Sequence, residues 1–75
     1  MKQEVFQHQK LAALRAYHRL DQEELAEKTG LSRPTIQRLE NGRSKNPNLS
    51  TLQALAEFFN ISVTMFFTGE ALNLR

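Results

Sequence analysis

An all-α fold of several short helices is what these 75 residues predict, and three observations predict it. Apolar residues recur at helical spacing along the chain, no stretch alternates long enough to make a strand, and helix-capping residues punctuate the sequence at short intervals. The length suits one domain spanning 1–75, at the lower edge of the size at which a chain folds alone on roughly 60% burial of its unfolded surface. No internal repeat, linker or low-complexity segment interrupts it.

The elements follow in order. Leu11, Leu14 and His18 share one face of a first helix running from about Gln3 to His18. Asp21-Gln22-Glu23-Glu24 places an acceptor three residues before a Glu, a capping-box pattern that opens a second helix lasting to about Thr29, and Gly30 stops it. Ser32 caps a third helix with Pro34 in its first turn, where the missing N–H does little harm, and Asn41-Gly42 ends it. Residues 43–47 form a loop. Asn48 caps a fourth helix carrying Leu49, Leu52, Leu55, Ala56 and Phe59 on its apolar face, and Ser62 caps a short fifth with Val63, Phe66 and Phe67. The tail 69–75 carries no comparable signal.

The chain has no cysteine, which excludes disulfide scaffolds, thiol catalysis and cysteine-ligated zinc and fits a reducing, cytoplasmic setting. Met1-Lys2-Gln3-Glu4 leads into no apolar run of a secretory leader, and the longest unbroken apolar run, Leu11 to Leu14, is far short of a membrane span. Catalysis and metal binding find no support: His8 and His18, the two histidines, would lie about 15 Å apart on one helix. No glycine-rich phosphate loop, paired-carboxylate pocket or nucleophile-base pair accompanies them, so no catalytic residue, metal ligand or cofactor is expected. His18 reads as a packing histidine. The net charge is only +2, but it is unevenly placed. Residues 31–48 carry Arg33, Arg38, Arg43 and Lys45 against Glu40 alone, while residues 1–30 balance and 49–75 are slightly acidic. A basic middle segment suits an anionic partner.

Two short helices joined by a tight glycine-containing turn, over about 22–41, describe a helix-turn-helix, whose second helix enters a DNA major groove. Leu14-Arg15, Leu20, Gln22-Glu23-Glu24-Leu25-Ala26, Thr29-Gly30-Leu31-Ser32, Thr35-Ile36, Leu39-Glu40-Asn41-Gly42 and the run Leu49 to Val63 resemble the Cro and phage-repressor (XRE) family of helix-turn-helix regulators across residues 11–69. The resemblance implies a five-helix, lambda-repressor-like domain that binds double-stranded operator DNA as a homodimer. It also implies that Gln22 holds a backbone phosphate at the start of helix two, and that Asn41, Arg43, Lys45 and Asn46, with Thr35, lie along the sugar-phosphate backbone.

The third helix, drawn as a wheel at about 100° per residue, supports the same reading. With Ile36 and Leu39 inward, Pro34, Gln37, Arg38 and Asn41 face out, with Arg33 at the N-terminal corner. Arg can bridge guanine O6 and N7, Gln can bridge adenine N6 and N7, and proline offers a surface to a thymine methyl, so Arg33, Pro34, Gln37 and Arg38 are the expected base-reading residues. Arg15 and Glu40 each sit at the edge of a buried stripe and are expected to form a structural ion pair, a pairing to which the resemblance also points.

Two positions depart from the family pattern. Arg19 stands where glycine commonly ends helix one, so a left-handed backbone there would cost about 1 kcal/mol. Phe58 and Met65 fall off the apolar stripes of helices four and five. With Leu72 and Leu74 they are candidates for a two-fold interface. The expected function is a transcriptional repressor or autoregulator, and a small regulator paired with a toxin or a restriction-modification system would look the same. The rival reading is a protein-interaction module that keeps the fold without binding DNA.

Overall fold

The computed structural model describes residues 6–44 and 47–67. Lys45, Asn46, Leu72, Leu74 and the tail 69–75 lie outside the described residues. Four α-helices appear in order, α1 (His8–Tyr17), α2 (Gln22–Thr29), α3 (Arg33–Glu40) and α4 (Leu49–Phe59), followed by a 3-10 helix (Val63–Phe66). The last element is thus a tight 3-10 turn in place of the expected short α-helix.

Local chemistry sets the boundaries. Asp21 Oδ1 accepts from the Glu24 backbone N–H at 2.8 Å, and Glu24 Oε1 accepts in return from the Asp21 N–H at 2.9 Å, a complete capping box on α2. Ser32, Asn48 and Ser62 cap the next three elements through their side-chain oxygens. Helix α1 is shorter than expected among the described residues. Phe6 and Gln7 are not helical, and Gln7 offers no side-chain cap. Instead its backbone N–H donates to Phe66 O at 2.7 Å, a tertiary bond that takes the chain out of the helix.

Three helices end in the same way, with a left-handed residue whose successor reaches back to the last turn. The Leu20 N–H donates to Arg15 O, Leu31 to Ala26 O and Ile61 to Ala56 O, around Arg19 (φ +57°), Gly30 (φ +77°) and Asn60 (φ +57°). Glycine adopts this conformation freely and asparagine with modest strain, whereas arginine bears the Cβ penalty of about 1 kcal/mol. Arg19 therefore keeps the helix end that glycine would give, at a local cost in stability.

The core gathers Phe6, Leu11, Leu14, Leu25, Ile36, Leu39, Leu52, Leu55, Phe59 and Phe66, with Ala26 and Ala56 filling narrow gaps. Each large side chain so buried is worth about 1.5–3 kcal/mol of transfer from water. Helix α2 packs on α3 and α4, and α1 lies against α3 and the 3-10 helix. Three expectations need correction. Leu49 is 57% exposed, because it starts α4 well off the centre of the stripe that Leu52, Leu55, Ala56 and Phe59 form. His18 sits beyond the helix end and is exposed, so it does not share the buried face of Leu11 and Leu14, but it does pack, its ring lying on Phe59 with centroids 5.2 Å apart. Met65 is half-buried, not turned out to solvent, and its carbonyl accepts from Lys10 Nζ at 3.0 Å.

Candidate nucleic-acid interface

Helix α3 is held from behind and open in front. Ile36 and Leu39 are buried, while Arg33, Pro34, Gln37 and Arg38 are all exposed. The side chains of Arg33, Gln37 and Arg38 make no hydrogen bond or ion pair among the described residues. Two guanidinium groups and an amide are thus left unengaged on the exposed side of one helix.

The rear of α3 is fastened by Glu40, whose side chain is 7% exposed. Arg15 engages it with one edge of the guanidinium, Nε donating to Oε2 at 2.7 Å and Nη2 to Oε1 at 2.9 Å, while Nη1 donates to Leu20 O at 2.8 Å. The hydrogen bonds to Glu40 raise the Arg15 pKa above its usual range, against a smaller opposing effect of burial. Gln22 Nε2 donates to the same Glu40 Oε1 at 3.1 Å. The last residue of α3 therefore ties together α1, the turn after it and the first residue of α2.

Beside this network an open depression of about 300 Å³ is lined by Arg15, Asp21, Gln22, Glu23 and Arg33. It runs from the N-terminus of α2 to that of α3, so the expected phosphate residue Gln22 and the expected base reader Arg33 share one surface. Thr35 is half-buried, and its hydroxyl is engaged with Ser32 Oγ at 2.8 Å. Asn41 is exposed, and its Oδ1 accepts the Arg43 N–H at 3.0 Å, so its side chain shapes the turn. Arg43 is exposed beyond it.

A contact missed by sequence reasoning is His8, whose Nδ1 lies 3.0 Å from Glu40 O. Its ring rests against Gly42, where a Cβ would come within 3.0 Å of Nε2 and where φ is +80°. Position 42 is therefore restricted twice, by backbone conformation and by space. Only the glycine itself signalled this in the sequence. Phe58 is 37% exposed and, with Tyr17 at 47%, stands out among large apolar side chains near the ends of α4 and α1.

A helix-turn-helix family model matches residues 11–66. An uncharacterized helix-turn-helix-type transcriptional regulator of Methanocaldococcus jannaschii is 41% identical over 61 residues, covering 81% of this chain and 91% of that protein. The immunity repressor protein of Bacillus phage phi105 is 41% identical over 64 residues, covering 85% of this chain and 44% of the repressor. The chain spans 23% and 31% of the length of two further relatives, an uncharacterized regulator of Coxiella burnetii and the transcriptional activator BcrR of Enterococcus faecalis. Among solved structures, the restriction-modification controller protein C.AhdI from Aeromonas hydrophila is similar, with 33% identity, a TM-score of 0.72, and 80% of this chain and 89% of that chain covered.

Proposed function

Because the chain belongs to the helix-turn-helix family of the Cro and phage-repressor (XRE) type, we propose that it is a sequence-specific DNA-binding regulator of transcription acting in the cytoplasm by binding and not by catalysis. The observation that carries this reading is the front of α3, where Arg33, Gln37 and Arg38 are exposed without partners among the described residues. In the major groove Arg38 suits a guanine, Gln37 an adenine and Pro34 a thymine methyl. Gln22, Thr35, Asn41 and Arg43, with Lys45 and Asn46, would hold phosphates on either side and fix the register without reading sequence.

A homodimer on a short palindrome is part of the proposal, with Phe58 as the apolar group at the two-fold contact and Met65 at its edge. The phage repressor and the restriction-modification controller among the relatives support a repressor or autoregulator. Selection of bound duplexes from a random pool, at stated salt, tests the reading. Enrichment of a palindrome with half-site centres about 10–10.5 bp apart is expected. A pool that shows no enrichment overturns it in favour of a protein-interaction module, to which the exposed Tyr17 and Phe58 would then belong. Sedimentation of the wild type and of Phe58→Glu tests the dimer, and a wild type that stays monomeric at high micromolar concentration removes that part.

A further inference from the structure

Glu40 lies on the rear edge of α3 and is not among the DNA contacts proposed above, yet it accepts a hydrogen bond from one of them, Gln22. The amide of Gln22 carries two N–H groups. One is given to Glu40 Oε1, which leaves the other for a second acceptor, and Gln22 lines the depression that it shares with Arg33. Glu40 is itself immobilised by the two-point contact with Arg15, and Arg15 by Leu20 O. A long, flexible glutamine is thus held in one orientation before any ligand arrives. Of the acidic groups on the same surface, Asp21 is engaged by the Glu24 N–H, and Glu40 is balanced by Arg15. Glu23 is exposed at the rim of the depression.

We propose that Glu40 is the positioning residue for the phosphate contact of Gln22, fixing the distance between the backbone grip at the start of α2 and the base-reading face of α3. This rests on the DNA-binding reading and adds a residue that touches no DNA. Ordering the Gln22 side chain in the free protein removes an entropy cost otherwise incurred on binding. The bond to the end of α3 also transmits any shift of that helix to the grip.

The test is a double-mutant cycle in operator affinity, with the folded state of each variant verified by thermal melting. Glu40→Ala is expected to weaken binding about tenfold where Gln22 is present and about twofold or less where it is already Gln22→Ala. A purely structural role would give the same loss in both backgrounds. Glu40→Gln keeps an acceptor oxygen and should retain the Gln22-dependent affinity even as stability falls. Should Glu40→Ala unfold, the pair Arg15→Met and Glu40→Met replaces the ions by apolar groups, a change that is often neutral for stability, and still deprives Gln22 of its acceptor. Because a neutral amide releases no counterion, these losses should leave the salt slope unchanged. Equal losses in both backgrounds overturn the proposal, as does a folded Glu40→Gln that binds as weakly as Glu40→Ala. If the wild type binds no duplex, the DNA-binding reading itself falls. If it binds and Arg38→Ala relaxes one base preference while the cycle is additive, the positioning role alone falls.

Discussion

Helix α3 carries its charged residues in two opposite situations. At its rear, Glu40 is almost fully covered and saturated by Arg15 and Gln22, whereas at its front Arg33 and Arg38 stand in solvent with no partner among the described residues. Within eight residues, rotation alone divides a covered side from an open one. The lesson is that a charge on this helix has consequences set by its facing: removing one at the rear should cost stability, removing one at the front should cost only binding.

The largest expected effect tests the rear. Arg15→Met leaves Glu40 covered without its cation and should lower stability by about 3 kcal/mol, read by denaturant unfolding; a variant as stable as the wild type would sever the comparison. Since Arg15 has a raised pKa in the folded state, its contribution is complete at neutral pH and is lost only in strong base, so no drift in melting from this group is expected at mildly alkaline pH.

At the front, Arg38→Ala should cost about 1–3 kcal/mol of operator binding and relax preference at one base pair per half-site. Its effect on stability should stay within about 0.5 kcal/mol. A uniform loss across single-base operator variants would turn Arg38 into a phosphate contact. Smaller still, Arg19→Gly should stabilise by about 1 kcal/mol by relieving the left-handed strain. That gain corresponds to a rise of about 4–8 °C in melting temperature for a domain of this size. No gain would mean that the Arg19 side chain makes up for its backbone. The smallest effect is that of Arg43→Ala, which should weaken all sequences alike and reduce the salt slope by about one.

Much of this was legible in the sequence because the signals are local. Asp21 with Glu24, Ser32 and Asn48 mark helix starts through contacts two or three residues away, and Leu11, Leu14, Ile36 and Leu39 mark inward faces through spacing alone. The outward set on α3 follows from the same wheel. What escaped is tertiary. The start of α1 depends on a bond from Gln7 to Phe66, the place of His8 depends on Gly42 and the end of α3, and the half-burial of Met65 depends on packing that no wheel contains. Leu49 misled because helical spacing places it only at the margin of the α4 stripe, well off the centre set by Leu52, Leu55, Ala56 and Phe59. The bond from Gln22 to Glu40 joins residues 18 apart, and nothing near either one announces it.

The bond that draws Gln7 to Phe66 bears on the order in which the molecule assembles. Beside it Lys10 reaches Met65 across 55 residues, so the chain near its beginning is seated only once the 3-10 helix has formed. Helices α2 and α3 are joined by a short turn and can pair early, since closing a small loop costs less entropy than closing a long one. Substitutions in the 3-10 helix should then act mainly on the unfolding rate, and those at Leu25 or Ile36 on the folding rate as well. During synthesis α1 could therefore settle on α3 before the residues just ahead of it have the 3-10 helix to hold them.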